Sequence, residues 1–207
     1  DGETSAAPLL VIDYDSGGGT GSGSCETFLD AFSTESYSRQ DGTLNWSTGW
    51  DEVGDDDNAA SGDIEINNNR LQLEGDGSAS NSLGGPYIQR EVDLSSYSSA
   101  TLSFDYYESG SWEGNDDIEI YVSSDGGSNW TMIQRFTNDQ GGTSQQFSQD
   151  ISDHISSDTR IAFVEKANSS SELFYFDNVQ IEACGGSGGS GGPSCTTTTI
   201  AGGQDFK

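Results

Sequence analysis

Alternation of hydrophobic and polar residues is the strongest pattern along this chain. It is clearest in four short segments, residues 101–107, 117–124, 160–166 and 177–183. In the first of them, "TLSFDYY", the apolar residues Leu102, Phe104 and Tyr106 all fall on one face of an extended chain. A period of two predicts β-strands that bury one face and expose the other. Helical periodicity is weak, and only residues 148–157 are compatible with one short helical turn.

The segments between these strands are rich in residues that form tight turns. Asp125, Gly126 and Gly127 in "SSDGGSNW" predict a hairpin, because they tolerate the positive φ angles that tight turns require. Four further strands are expected at residues 26–32, 63–66, 70–75 and 87–94. Many short strands joined by such turns predict an all-β fold, an antiparallel β-sandwich. If the two ends of the sandwich are joined, a jelly roll is its expected form.

Two Gly/Ser-rich linkers divide the chain into a domain and two extensions. The linkers are "SGGGTGSGS" at residues 16–24 and "GGSGGSGGPS" at residues 185–194. Such tracts behave as flexible tethers and cannot pack a core, so residues 25–184 are predicted to form the one complete domain. Residues 1–15 resemble the last strand of an upstream module, and residues 195–207 resemble the start of a following one.

The three cysteines stand at the edges of these linkers. Cys25 follows the first linker, Cys184 precedes the second, and Cys195 follows it. A disulfide between Cys25 and Cys184 would join the two ends of the domain and leave Cys195 to pair outside this sequence. The alternative pair, Cys184 with Cys195, would close only a glycine-rich loop. Either pairing predicts an oxidising compartment, so that we expect an extracellular or cell-surface protein.

The charge of the chain excludes several classes of partner. The 207 residues include 7 Lys and Arg against 35 Asp and Glu, for a formal net charge of -28. Nucleic acids and anionic membranes are excluded as partners, because both require clustered basic residues. Membrane insertion is not expected either, since no apolar run approaches the roughly 18 residues that a spanning helix needs. An acidic surface of this kind suits divalent cations or high external salt.

Three stretches together resemble a known kind of domain. They are "YSRQDGTLNWSTGWDEVGDDDNAASGDIEI", "SYSSATLSFDYYESGSWEGNDDIEIYVSSDGGSNWTMI" and "ELFYFDNVQIEAC". These stretches resemble the MAM-like and carbohydrate-binding-module-like jelly-roll domains of large secreted or surface proteins from marine and other environmental bacteria. The resemblance covers residues 26–183. It is specific for the fold and only weakly specific for a function.

The resemblance implies a structural calcium ion. In such domains the closing strand often reads "YIDNV" or "FDDV", and its Asp binds calcium together with acidic residues of the opening segment. "FYFDNV" matches this pattern at Asp177, which as a lone charge in an apolar strand would need a partner. The opening segment offers Asp30, Asp41 and Glu52 as further calcium ligands, with Asp63 as an additional candidate. Calcium prefers oxygen ligands of this type.

Exposed aromatic residues provide a second possible site. Tyr107 and Tyr121 project opposite to the core residues of their strands, and Trp112 lies in the loop "ESGSWEGNDD". These rings are candidates for stacking on a sugar, as in glycan-binding modules. The alternative is that the two tyrosines cover a sheet face and that Trp112 packs at the rim. The other three tryptophans are assigned to the core: Trp46, Trp50 and Trp130.

The sequence favours a non-enzymatic function. Its single histidine, His154, has no Cys or Ser in a recognisable nucleophile setting, and acidic pairs are too numerous to single out two. We therefore expect an extracellular structural or adhesive module of a filament-forming or surface protein, stabilised by calcium. Its partners would be neighbouring modules or copies of the same protein, reached by strand addition through residues 7–15. A glycan-binding module and an accessory domain of a secreted hydrolase are the alternatives.

Overall fold

The structure is a computed structural model that describes residues 24–75, 83–110, 112, 114, 116–137 and 142–185. These residues form two antiparallel sheets packed face to face. Sheet I contains six strands in the order β3-β4-β11-β6-β9, with β1 paired to the second half of β11. Its strands are β1 Cys25–Asp30, β3 Ile64–Ile66, β4 Leu71–Glu74, β6 Ser99–Ser109, β9 Gln145–Asp150 and β11 Leu173–Cys184.

Sheet II contains five strands in the order β2-β5-β10-β7-β8. They are β2 Asp51–Val53, β5 Tyr87–Val92, β7 Asp117–Ser123, β8 Thr131–Thr137 and β10 Thr159–Lys166. Within the described ranges the one helical element is a 3-10 turn, Ser152–His154, inside the segment that was compatible with a helix. None of the described helical residues forms a helix long and apolar enough to cross a membrane. The predicted antiparallel jelly-roll sandwich is confirmed.

The predicted strands and the hairpin correspond to strands of the two sheets. The four strongly alternating segments lie in β6, β7, β10 and β11, and the Asp125 turn joins β7 to β8. Gly126 and Gly127 have φ angles of 67° and 88°, the left-handed conformation that the turn was expected to need. Strands β2, β8 and β9 were not predicted, because their sequences "DEV", "TMIQRFT" and "QQFSQD" lack a clear apolar alternation.

The core is an aromatic layer between the sheets. Phe163 of sheet II stacks on Phe176 of sheet I with 4.2 Å between ring centroids, and Phe104 lies 5.4 Å from Phe163. Trp46 and Trp50 belong to this core, as predicted. Trp130 does not. It packs against Tyr87 in a smaller cluster on the outer face of sheet II.

The last strand, β11, contains a β-bulge that changes which side its residues face. Its pairing with β6 shifts register between Asp177 and Gln180, and Asn178 has a φ angle of 50°. Asparagine tolerates this left-handed conformation better than most residues. The extra residue lets both Phe176 and Val179, three positions apart, point into the core. As a result, Asp177 and Asn178 both remain on the solvent side.

The disulfide joins the first strand to the last. Cys25 and Cys184 are paired residues of β1 and β11 and form a disulfide, the first of the two pairings that the sequence left open. It closes a loop with a sequence separation of 159 residues. By the chain-entropy argument a loop of this length contributes about 4–5 kcal/mol to the free energy of unfolding. Cys195, residues 16–23 and 186–194 of the two linkers, and the strand expected at residues 7–15 lie outside the described residues and stay predictions.

Candidate ligand-binding groove on sheet I

The outer face of sheet I carries rows of polar and aromatic side chains on β6 and β11. Since alternate residues of both strands point into the core, the remaining ones point outward. The antiparallel register places Tyr175 opposite Tyr107 and Asp177 opposite Asp105. Beyond the bulge, Gln180 lies opposite Ser103. The sheet therefore presents three successive rows of side chains that can form hydrogen bonds.

The first row is a stacked tyrosine pair. The rings of Tyr107 and Tyr175 are nearly parallel, at 8°, with 4.4 Å between their centroids. The Arg70 guanidinium lies 4.8 Å from the centroid of Tyr107, and its Nη1 donates a hydrogen bond of 2.9 Å to the Tyr107 hydroxyl. Burial and the neighbouring Tyr107 raise the pKa of Tyr175. The contacts fix both rings, so they are held in place before any ligand arrives.

The second row is a pair of carboxylates. Asp105 accepts hydrogen bonds from Nε2 of Gln146 at 3.0 Å and from Nδ2 of Asn178 at 2.9 Å. Asp177 accepts one from the backbone N–H of Asn178 at 2.8 Å. Burial raises the pKa of Asp177. Its hydrogen bond from Asn178 and the charge of Arg70 oppose that increase, and the charge of Asp105 adds to it.

Two adjoining hollows follow these rows, and we call them together the polar groove. The larger, about 360 Å³, lies over Ser103, Asp105, Gln146 and Gln180. A smaller one of about 50 Å³ lies between Arg70, Tyr107, Tyr175 and Asp177. Asp105 lines both, so the two hollows adjoin at this residue. The lining offers guanidinium and amide donors together with carboxylate and phenol oxygens, a combination suited to a ligand rich in hydroxyl groups.

Of the three aromatic residues predicted to contact a sugar, Tyr107 alone lies in the polar groove. Tyr121 is 8% exposed on the outer face of sheet II, and its hydroxyl donates to Oε2 of Glu119 at 2.7 Å. Trp112 is 9% exposed, packs edge-on against Phe174, and donates from Nε1 to the Ser109 carbonyl at 3.2 Å. Burial leaves neither Tyr121 nor Trp112 a free ring face for a ligand. For these two residues the structure shows the packing role that the sequence had left open as the alternative.

The four residues predicted to bind calcium lie in different surroundings. Asp30 points into the core, where it forms an ion pair with Arg90. Asp177 lies in the polar groove, on the other side of sheet I. This separation has a local cause: Asp30 pairs with Val179, which faces the core, whereas the bulge keeps Asp177 outside.

The other two predicted ligands lie in the opening segment, each with its own partners. Asp41 forms an ion pair with Arg39 and accepts a hydrogen bond of 3.2 Å from the backbone of Ala31. Glu52 accepts hydrogen bonds from the Tyr37 hydroxyl and, at 2.7 Å, from the backbone of Asp57.

In the part of the chain that the structure describes, Glu52 lies beside two other acidic residues. Carboxylate oxygens of Glu52, Asp55 and Asp56 lie within 4.8 Å of one another. Burial raises the pKa of Glu52, and the charges of Asp55 and Asp56 add to the increase. The set consists of oxygen donors only, which fits calcium, but each carboxylate already accepts hydrogen bonds from its own turn. Asp63, the reserve candidate, lies just before β3. Calcium binding thus stays a prediction.

Several residues of the polar groove were not singled out in the sequence, and three of them, Asp105, Tyr175 and Arg70, had a recognisable signal. Asp105 and Tyr175 alternate with core residues of β6 and β11, so strand parity alone places them outside. Arg70 is one of only 7 basic residues in the chain and directly precedes β4. The missing information was the register of β11 against its neighbours, which brings these three residues side by side.

Comparison with known proteins gives structural matches only. No protein-family model matches the chain, and no curated protein matches it. A solved structure of a family 29 carbohydrate-binding module is 12% identical, with a TM-score of 0.46, over 77% of this chain and 89% of that one. A mutant of such a module complexed with cellulohexaose is 12% identical, with a TM-score of 0.45, over 76% and 92%. A mutant complexed with mannohexaose is 10% identical, with a TM-score of 0.45, over 77% and 92%.

Proposed function

We propose that this domain is a non-catalytic glycan-binding module that holds an uncharged sugar chain in the polar groove. The observation that carries the proposal is the alignment of three hydrogen-bonding rows on the outer face of one sheet: Tyr107 with Tyr175, Asp105 with Asp177, and Ser103 with Gln180. Sugars present many hydroxyl groups, each of which can donate and accept. A rigid surface of alternating donors and acceptors recognises such a ligand without large rearrangement.

The dimensions and charge of the polar groove narrow the kind of glycan. Successive rows are two residues apart along β6, so three rows span about 14 Å and suit a short oligosaccharide rather than a single sugar. Arg70 is the one cation lining the described groove, against Asp105 and Asp177. Together with a net charge of -28, this arrangement repels sulfated or uronic-acid glycans.

Calorimetric titration of uncharged oligosaccharides, chosen with a glycan array, tests the proposal. In Tyr175→Ala the stacked pair is lost, and in Asp105→Ala the acceptor of two amide hydrogen bonds is lost. Each change should weaken binding at least about tenfold, as expected when one well-placed hydrogen-bonding or aromatic group is removed. Glu182→Gln is the matched control, because Glu182 lies on the same outer face but beyond the three rows. If no uncharged glycan binds, or if Glu182→Gln weakens binding as much, the proposal is wrong.

A structural or adhesive role within a longer protein is the second candidate. It is favoured by the position of the domain ends: Cys25 and Cys184 are adjacent and disulfide-bonded, so the chain enters and leaves the domain at one place. Ends that lie side by side allow a domain to be inserted into a longer protein without disturbing its fold. Strand addition by residues 7–15 belongs to this candidate. Deleting residues 1–15 should abolish assembly in light scattering and leave domain 25–184 folded, whereas unchanged assembly would exclude a donor strand. An accessory role beside a secreted hydrolase would use the same groove.

A further inference from the structure

Arg90 occupies an unusual position for a charged residue, inside the sandwich. It lies on β5 between Ile88 and Val92, whose side chains also point into the core. Its Nη1 lies 2.7 Å from Oδ2 of Asp30, and both side chains are fully buried. Burying an ion pair of this kind is favourable only when further hydrogen bonds satisfy the remaining donors and acceptors.

Each nitrogen of the Arg90 guanidinium and each carboxylate oxygen of Asp30 has a hydrogen-bond partner. Arg90 donates from Nη2 to the Arg39 carbonyl at 2.6 Å and from Nε to the Thr48 carbonyl at 3.0 Å. Asp30 also accepts from the backbone N–H of Phe32 at 2.8 Å and from Nε1 of Trp50 at 3.0 Å. The guanidinium further lies over the rings of Trp46 and Trp50, 4.8 and 5.5 Å from their centroids.

Apart from Asp30, the last residue of β1, the groups around Arg90 in this network belong to one segment of the chain. Residues 31–50, between β1 and β2, contain neither a strand nor a helix, and their one bridge is between Leu44 and Phe28. Asp30 stands at the start of this segment, and Arg39 and Thr48 lie within it. The guanidinium connects these three separate points with three directed hydrogen bonds. The guanidinium therefore fixes this irregular segment of 20 residues from inside the core, in addition to backbone hydrogen bonds such as the one from Ser47 to the Glu91 carbonyl.

One carboxylate and two backbone carbonyls around a single positive charge are the kind of oxygen ligands that calcium takes. The resemblance seen in the sequence implied calcium at Asp30, but the position beside Asp30 is filled by the Arg90 guanidinium. The residues present therefore do not fit a metal ion at this point. We infer that Arg90 takes the place of a structural metal ion in this domain, neutralising Asp30 and organising residues 31–50, so that this part of the fold forms without metal.

The electrostatics agree with a permanent internal cation. Burial lowers the pKa of Arg90 to about 10, while the charge of Asp30 opposes the decrease. Arg90 is therefore protonated at neutral pH. The planar guanidinium has donors in a fixed fork, which allows it to reach a carboxylate and two carbonyls at once. A lysine has the charge but not this geometry.

Hydrogen exchange of the backbone amides of residues 31–50 tests the inference. In the wild-type domain, exchange in this segment should be the same in calcium and in EGTA. In Arg90→Met it should be faster by about a hundredfold or more, because Asp30 is left as an unpaired buried charge. Arg160→Met is the matched control: Arg160 also pairs with a carboxylate, Glu91, but its side chain is 29% exposed, and its loss should leave this segment unchanged.

Several results would overturn the inference. One is faster exchange of residues 31–50 in wild-type protein when EGTA is added, which would show that a metal holds the segment. Another is wild-type protection in Arg90→Met. If Arg90→Met does not fold, Arg90→Lys replaces it in the test. This variant should fold and show faster exchange in residues 31–50 only. Wild-type exchange throughout Arg90→Lys would show that the guanidinium fork is not needed.

Discussion

Asp30 and Asp177 lie close together in the pairing of β1 with β11, yet they belong to two different environments. Asp30, opposite Val179, is fully buried and bound to Arg90, whereas Asp177 faces the solvent side of sheet I beside Asp105. Inside the sandwich, Asp30 has a fixed counter-charge and a set of hydrogen bonds. Outside, the carboxylates have amide partners and remain open to a ligand. The same residue type therefore stabilises the fold on one side of the sheet and, in the proposed function, contacts a ligand on the other.

The comparison also shows why one ion does not explain both residues. A shared calcium requires carboxylate oxygens that converge on one point. The sheet lies between the two aspartates, because the bulge at Asn178 keeps Asp177 on the outer face. The Arg90 guanidinium neutralises the negative charge of Asp30. At Asp177, burial raises the pKa, the backbone hydrogen bond from Asn178 and the charge of Arg70 oppose the increase, and the charges of Asp105 and, across the sheet, Asp30 add to it.

The largest expected effect is the loss of stability when the buried ion pair between Asp30 and Arg90 is broken. Asp30→Asn leaves the Arg90 guanidinium buried without its counter-charge, which should lower the free energy of unfolding by about 3–5 kcal/mol. Urea unfolding followed by tryptophan fluorescence measures the change, since Trp46 and Trp50 adjoin the pair. Asp177→Asn serves as the control and should change stability by less than about 1 kcal/mol. Equal losses in the two variants would contradict the distinction between the two sides.

The disulfide should have the next largest effect, because it fastens the strand that carries Asp30 to the strand that carries Asp177. Replacing both Cys25 and Cys184 with serine should lower the free energy of unfolding by about 2–5 kcal/mol. Hydrogen exchange should increase first in β1, which pairs with β11 alone among the named strands. Faster exchange spread evenly over both sheets would argue against such a local role.

Calcium is expected to stabilise the domain at acidic residues outside the Arg90 network. Binding to the folded state alone adds about 2.7 kcal/mol at a hundredfold excess of calcium over its Kd, so melting should shift up by several degrees and return in EGTA. The same measurement on Glu52→Gln and on Asp177→Asn identifies which acidic residue is responsible for the calcium-dependent increase in melting temperature. An unchanged melting temperature for metal-stripped wild-type protein in calcium and EGTA would falsify the calcium prediction.

The smallest expected effect is the pH dependence that Asp177 gives to the stability of the fold. Because burial raises its pKa in the folded state, folded protein holds this proton more tightly than unfolded protein does. Its contribution to stability is present below the ordinary pKa of about 3.9 and is lost as the pH rises through the folded pKa. Asp177→Asn cannot ionise and should therefore gain stability relative to wild type as the pH rises, in urea unfolding at a series of pH values. The opposite trend would mean that a cation stabilises the ionised carboxylate.

Much of the fold was predictable from strand parity. Alternation in "TLSFDYY" and "DIEIYVSS" identifies two central strands and their core faces, and it also places Asp105 and Tyr107 outside. The same parity puts Arg90 inside, since Ile88 and Val92 flank it at a spacing of two. That position was not recognised in the sequence, because a charged residue is normally assumed to face solvent.

The candidate site was less predictable because it depends on where strands lie relative to one another. Phe176 and Val179 are three positions apart, and this break in alternation is the sequence sign of the bulge at Asn178. Trp112 and Tyr121 look exposed when only their own segments are considered. Their burial results from contacts with residues distant in the chain, Phe174 in one case and Ala162 with Val164 in the other.

The amino-acid sequence by itself determined the all-β class, the limits of most strands, the turn at Asp125 and the positions of the cysteines that became paired, because each of these depends on residues near one another in the chain. Tertiary structure decided which acidic residue meets Arg90, which tyrosine stacks on Tyr107, and on which side of sheet I Asp177 lies. These outcomes depend on strand order and on one bulge, and a shift of register by a single residue exchanges the two faces of a strand.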